Sequence, residues 1–438
     1  MKKQFNRIWL LFAAALLLTG CSMRTVEQMY QLPKRSEDFS NLQTAIDAAM
    51  TGLEYCAPLS GENQQIVQMA DLNGDADQEY LVFAKGNSEL PLKILIFDRV
   101  EGAFLHVDTI NSNGFAFEQV EYVQMDHHPG VELVVGCQIS DQLLRSVSVY
   151  HFKDGISEQM VSANYSKFVT ADLDQDMMSE LFVLRPGQSE TDKGIAEVYS
   201  IADSVMERSN EVNMSEPVSN LKRIFIGKLH GGETAVFVGS SVEDTALITD
   251  IYTIAEGKLT NVSVSNESGT SVKTMRNYYV YSDDIDHDGV LELPQLITMI
   301  PLDPEADSKQ QGLIRWYAMK VDGAEVTKLF TYHDFVSGWY LELDESIAPR
   351  IAVRYEGNAC AFYLWDDTYS SHQKLMTIYS LSGQNREILD EEKLVLLKTD
   401  SVIYAATLEE ISVDYGITQE SLLSDFHLIR QAWKTGET

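Results

Sequence analysis

Three short stretches place carboxylates at alternate positions. Asp71, Asn73, Asp75, Asp77 and Glu79 occupy positions one, three, five, seven and nine of the first stretch. Asp172, Asp174, Asp176 and Glu180 occupy positions one, three, five and nine of the second, and Asp284, Asp286, Asp288 and Glu292 do the same in the third. Carboxylates this close repel one another unless a cation neutralises them. Calcium takes six to eight oxygen ligands in irregular geometry, so a flexible loop offering oxygens at alternate positions suits it better than magnesium. No His or Cys stands in the three ligand rows, which disfavours zinc and copper.

An EF-hand loop begins in the same way but needs Gly at position six and a bidentate acid at position twelve. Here position six is Ala76, Met177 or Gly289, and position twelve is Val82, Val183 or Gln295. Each loop is also followed directly by a strand-like apolar run, as in Tyr80 to Phe83 and Leu181 to Leu184. The position-nine acid recurs as Glu79, Glu132, Glu180, Glu233 and Glu292, separated by 53, 48, 53 and 59 residues. A repeat of about fifty residues carrying four short strands marks a propeller blade, a unit that buries both sheet faces only by packing on its neighbours. The expected fold is therefore all-β, a single β-propeller of about seven (six to seven) four-stranded blades over residues 64–410. A sixth unit is expected from Trp339 to Leu343 and Ile351 to Tyr355, and a strand pair at Lys393 to Leu397 and Val402 to Ala406 is a candidate for a seventh blade. Short helices are expected to flank the propeller, from Ser40 within a segment spanning 39–63 and from Thr418 to Ile429 within 411–438.

A loop that ends on an acid at position nine and runs into a strand resembles the calcium loops of FG-GAP/VCBS-type repeats, found in integrin alpha-subunit propellers and bacterial surface proteins. The resemblance covers about residues 64–355. It implies side-chain ligands at positions one, three, five and nine and a main-chain oxygen at seven, the place of Asp77 in the first loop. Two copies depart from the pattern. The second keeps only Asp126 and Glu132, and the fourth has Lys228 and His230 where acids would stand, so neither is expected to hold a metal. The adjacent His127 and His128 read as surface residues.

The N-terminus carries a targeting signal. Lys2, Lys3 and Arg7 precede an apolar run from Ile8 to Leu18 that is too short to span a bilayer. Leu18, Thr19, Gly20 and Cys21 match the bacterial lipobox, which implies a signal peptide over 1–20, lipidation of Cys21, a tether over 21–38, and an extracytoplasmic protein anchored in the membrane through its lipid. The chain is strongly acidic. Lys and Arg number 33 against 66 Asp and Glu, a formal net charge of −33 that repels phosphate backbones and excludes nucleic acid as a partner. Cys56, Cys137 and Cys360 are odd in number and widely spaced, so they read as buried hydrophobes rather than a disulfide framework or zinc site, with one bridged pair left open.

No nucleophile elbow, zinc-protease helix or phosphate-cradling glycine loop is present. The acidic pairs Asp366–Asp367 and Glu391–Glu392 are expected as surface charge, and Trp316, Trp339 and Trp365 with their tyrosine neighbours as core, with a carbohydrate or peptide platform the sharper alternative. The chain reads first as a non-enzymatic binding module for a protein or glycan partner, stiffened by calcium. The alternative is a carbohydrate-active hydrolase or lyase on the same scaffold, its site built from several blades and invisible to a linear reading.

Overall fold

The computed structural model describes residues 37–139, 144–189, 191–202, 205–243, 246–276, 280–302, 312–383, 386 and 393–430. Residues 1–36, with the lipobox and Cys21, lie outside them, as do Glu391, Glu392 and residues 431–438. Among the described residues no helix is long and apolar enough to cross a membrane.

The protein is all-β, built from six antiparallel sheets. The first comprises Glu54–Tyr55, Val67–Ala70, Glu79–Lys85, Leu92–Val100 and Ala103–Ser112, and the second Ala116–Val123, Glu132–Gln138, Arg145–Lys153 and Ile156–Tyr165. The third runs from Lys167–Ala171 through Glu180–Arg185 and Ile195–Ala202 to Val205–Arg208, and the fourth from Leu221–Lys228 through Thr234–Val242 and Ala246–Ala255 to Lys258–Asn261. Glu292–Ile297, Leu313–Met319, Glu325–Asp334 and Trp339–Leu343 form the body of the fifth, and Ile351–Glu356, Ala359–Trp365 and His372–Ser382 begin the sixth.

Period-two alternation gives most of these strands two apolar faces, and each face meets a different neighbour. Leu81 and Phe83 pack on Phe117 and Val135 of the second sheet. Val134 and Val147 on the other face of the second sheet meet Phe168 and Val183 of the third. Phe182 and Leu184 then join Val236 and Val238, Phe237 joins Leu293 and Tyr317, and Tyr332 and Trp339 join Phe362 and Leu364. The cores thus run in chain order from first sheet to sixth. Helix α1, Glu37–Ala49, sets Leu42 and Ile46 against Val82, Leu95 and Phe97, covering the face of the first sheet that looks away from the second.

Four sequence expectations change here. Helix α1 begins three residues before Ser40, which lies inside it and accepts the Thr44 hydroxyl proton at its carbonyl. Trp339–Leu343 closes the fifth sheet rather than opening the sixth, because it pairs with Glu325–Asp334. Val402–Leu408 and Leu394–Lys398 build no seventh unit: Val402–Leu408 pairs along the long strand His372–Ser382, and Tyr404 and Ala406 enter the same core as Phe362. The C-terminal helix, α2, spans Gln419–Asp425 and so ends before the expected Ile429. Phe426–Leu428 extends instead and pairs with Trp339–Leu341, where Phe426 packs against the Trp339 ring at 5.5 Å between centroids. An open sheet edge and an aromatic contact outweigh the helical periodicity there. The three thiols are free, with Cys137 and Cys360 buried.

Candidate functional site

The three acidic loops share one internal wiring. The position-nine acids Glu79, Glu180 and Glu292 are buried at the start of the strand that follows each loop, and one oxygen of each accepts the main-chain N–H of position two, Leu72, Leu173 or Ile285, at 2.7, 2.7 and 3.1 Å. The position-two side chains are themselves buried, so the loop is nailed to the core at both ends. Position one accepts from the N–H of position six: Ala76 to Asp71, Met177 to Asp172 and Gly289 to Asp284, at 3.1, 3.1 and 3.0 Å. Positions three and five each accept from the N–H two residues on. Positions four and six have positive φ in every loop, at Gly74 and Ala76, Gln175 and Met177, His287 and Gly289. Left-handed backbone at a non-glycine residue costs about 1 kcal/mol or more, and the carboxylate at position one offsets this by holding the N–H of position six.

In the third- and fifth-sheet loops this spends one oxygen each of Asp172, Asp174, Glu180, Asp284, Asp286 and Glu292 on the backbone and leaves the other for a cation. Asp172, Asp174 and Glu180 each bring an oxygen within 4.8 Å of the others, and so do Asp284, Asp286 and Glu292. Asp172 Oδ1, Asp284 Oδ1 and Glu292 Oε1 are buried without a hydrogen-bond partner, a costly arrangement that a bound cation relieves. The same crowding shifts the acids. Burial, reinforced by the neighbouring aspartates, pushes Glu180 and Glu292 up to about 8. Burial, with Asp98 and Asp75 adding to it, raises Glu79 to about 7.

The loops are not equivalent, a distinction the sequence conceals. In the first, Asn73 Nδ2 donates to Glu79 Oε1 at 2.8 Å and Gly74 N–H to Asp71 Oδ1 at 2.7 Å, so an amide occupies the centre. In the third-sheet loop, among the described residues, no Lys, Arg or His forms an ion pair with Asp172, Asp174, Asp176 or Glu180. In the fifth-sheet loop Lys328, from the third strand, bonds Asp288 and lies 3.4 Å from Asp286 Oδ2, supplying positive charge of its own. Its hydrogen bond holds Asp288 below the ordinary carboxylate range. The side chain of Asp77 at position seven enters none of these bonds, and its N–H binds Asp75.

The loops also touch one another. Val131 N–H donates to Asp71 O, Ser179 N–H to Gln124 O and Leu291 N–H to Lys228 O, at 3.1, 2.8 and 3.0 Å. In each case position eight of one loop reaches position one of the loop before it. The link from third to fourth loop is missing from this series because the fourth is shorter, and Gln175 Nε2 reaches Gly232 O at 3.4 Å instead.

In the second sheet, Glu132 is buried and accepts from Met125 N–H at 2.8 Å, the same seven-residue hold. Counting from it puts Gln124, Asp126 and His128 at positions one, three and five. His128 Nδ1 lies 3.0 Å from Asp126 Oδ2, and His151 Nδ1 3.0 Å from Glu132 Oε1. His127 and His128 are both exposed, as expected, and His128 also belongs to a polar cluster. His151 left no signal in the loop, since it arrives from the third strand. A cavity of about 770 Å³ opens beside this cluster, lined also by Asn73, Asp75, Asp98, Lys153 and Asp154. Trp316, Trp339 and Tyr317 are fully buried, so they belong to the core and offer no platform.

No protein-family model matches the chain, and no curated protein matches it. Among solved structures, the exotype rhamnogalacturonan lyase YesX is 11% identical with a TM-score of 0.28, covering 82% of this chain and 76% of its own. A rhamnogalacturonan lyase from Bacillus licheniformis (10% identity, TM-score 0.28, 74% and 72% covered) and a putative 6-phosphogluconolactonase from Bacteroides uniformis (10%, 0.28, 74% and 94%) stand at the same distance. Likeness at this level defines neither a common fold nor a common activity.

Proposed function

We propose that the chain is a lipid-anchored, extracytoplasmic, calcium-stabilised β-propeller of six blades in the FG-GAP/VCBS style, serving as a binding module for a protein or glycan partner. The observation that carries the calcium reading is the shared loop wiring, which in the third- and fifth-sheet loops leaves buried, unpartnered oxygens on Asp172, Asp284 and Glu292. Six consecutive sheets packed face to face support the propeller arrangement, and the seam of such a ring falls where α1 covers the first sheet. The lipobox supports the anchor, and the net charge of −33 supports a partner that is not a polyanion.

Calcium here is a rivet: it joins the first strand of a blade to the second and, through the loop-to-loop hydrogen bonds, one blade to the next. The third-sheet loop is the strongest site, since among the described residues no cation competes there. Thermal unfolding tests this. Chelation lowers the melting temperature, calcium restores it, and Asp172→Ala with Asp174→Ala removes the largest single share of the shift; no stabilisation by millimolar calcium would refute the reading. Labelling with an acyl-chain analogue, lost in Cys21→Ser, tests the anchor.

The hydrolase or lyase reading has one observation in its favour, the cavity of about 770 Å³ that gathers Asp75, Asp98, His128, His151 and Lys153. Against it, the buried carboxyls raised to about 7 or 8 sit in the loop centres described above, where a cation rather than a substrate explains them. Assay of the purified chain on acidic and neutral polysaccharides, with and without calcium, separates the two: turnover abolished by Asp98→Asn would establish the enzyme.

A further inference from the structure

The second-sheet loop lacks acids at positions one and five but keeps Asp126 and Glu132. We propose that Asp126, Glu132 and His151 form a metal site of a second class, selective for a zinc-type transition-metal dication, with one coordination position open to solvent. The three side chains each offer an atom within 4.8 Å of the other two. Zinc bonded at about 2.0 Å to tetrahedral ligands sets those ligands about 3.3 Å apart, and Glu132 Oε1 and His151 Nδ1 already lie at 3.0 Å.

Donor type sets the selectivity. Where the calcium loops carry an aspartate at position one, this loop carries Gln124, whose amide donates to the carbonyls of Asp126 and His128 at 2.6 and 2.7 Å. Two carboxylates are too few for a cation that needs six to eight oxygens, whereas imidazole beside carboxylate suits zinc. Across the sheets, the residue that faces the position-nine acid on the third strand is set by register. With Leu133 opposite Tyr150, Glu132 meets His151, and with Tyr80 opposite Phe97, Glu79 meets Asp98. Among the described residues, that place holds an imidazole only in the second sheet. His128 supplies the outer support, since its Nδ1 on Asp126 Oδ2 fixes that carboxylate. Asp126 and Glu132 are buried, His151 is 18% exposed and His128 53%. The ion is thus held from inside and reached from the cavity that His128 and His151 line.

The test loads the purified full chain with zinc in the presence of millimolar calcium, which fills the acidic loops, and counts retained metal after gel filtration. One zinc per chain is expected, abolished by His151→Ala and by Asp126→Ala and unchanged by Asp174→Asn or Asp286→Asn. His128→Gln, at the surface, is expected to weaken binding by roughly 10- to 100-fold, the usual effect of an outer partner. If His151→Ala does not fold, the Co2+-loaded wild-type chain decides: visible bands of a four-coordinate site support the assignment, and a weak octahedral spectrum overturns it. Zinc that is not retained over calcium, or retained equally by the folded His151 and Asp126 variants, overturns it too. Calcium measured in the same sample keeps this outcome separate from that of the acidic loops.

Discussion

Filling the acidic loops with calcium should expel protons. Without an ion, Glu180 and Glu292 are pushed up to about 8 and Glu79 to about 7. At pH 7 the first two are about nine-tenths protonated and the third about half, and a calcium ligand must be ionised, so saturation releases about two protons per chain. At pH 9.5 the same carboxyls are already ionised and the release falls to roughly a tenth of a proton. The direction has a thermodynamic counterpart. Acids whose folded value lies above the unfolded 4.5 bind more protons in the folded state. The ion-free protein therefore loses stability as pH rises from about 4.5 through about 8, while the calcium-loaded protein does not. The gap between the two melting temperatures should widen over that window. Calorimetric titration with calcium at pH 7, in buffers of different ionisation enthalpy, reads the proton count as a slope, and Glu180→Gln should lower that slope by about one. A binding heat independent of buffer would mean that the carboxylates are ionised before the metal arrives. Burial and crowding would then not be what sets the protonation of these acids.

Three further outcomes follow from particular contacts. A Cβ at Gly74, where φ is +75°, would stand 2.1 Å from Pro129 Cβ and 2.4 Å from its carbonyl carbon. Gly74→Ala should therefore lower the melting temperature well beyond Gly102→Ala, where φ is +85° but nothing lies within 4 Å and only the backbone strain of about 1–2 kcal/mol applies. Leu173 is buried in the core between third and fourth sheets, so Leu173→Ala should cost about 2–5 kcal/mol in denaturant unfolding and should also weaken calcium binding, because its N–H anchors Glu180. His333 is buried among Trp316, Phe335 and Tyr340, and burial pushes its imidazole down to about 3. Its contribution to stability is complete above the unfolded value of 6.5 and lost as pH falls below it toward 3, so His333→Phe should flatten that acid limb by up to one proton.

The loops and most of the strands were legible in the sequence because both are local. Alternation and turn residues mark strands, and carboxylates at odd positions mark a loop, whatever lies elsewhere in the chain. Glu132 could be recognised as a copy of Glu79 because it stands 53 residues further on and opens a like apolar run, and the structure gives both acids the same seven-residue hold. What could not be read depends on register between strands. Nothing in the loop sequences shows that Lys328 neutralises Asp288, or that His151 stands beside Glu132. The strand at Phe426–Leu428 was missed for the same reason: its helical periodicity is real, but an unfilled edge at Trp339–Leu341 decides its conformation. A buried polar network in the fourth sheet was equally silent. Fully buried Asp250 accepts from Ser215, Asn261 and Ser271, residues drawn from segments that no spacing rule connects.

That last strand also bears on how the chain reaches its native state. Five of the sheets are contiguous in sequence, so each can form from neighbouring residues as soon as its own stretch is available, at low cost in loop closure. The fifth is the exception. Its edge at Trp339–Leu341 is completed by Phe426–Leu428, and the whole sixth sheet lies between them along the chain. The edge therefore stays unpaired, and the side of the Trp339 ring that meets Phe426 uncovered, until residues 426–428 have been delivered, which makes a chain truncated or stalled before them prone to self-association through that strand. Among the described residues, Phe426–Leu428 thus closes a sheet edge that a chain stopping short of it leaves sticky.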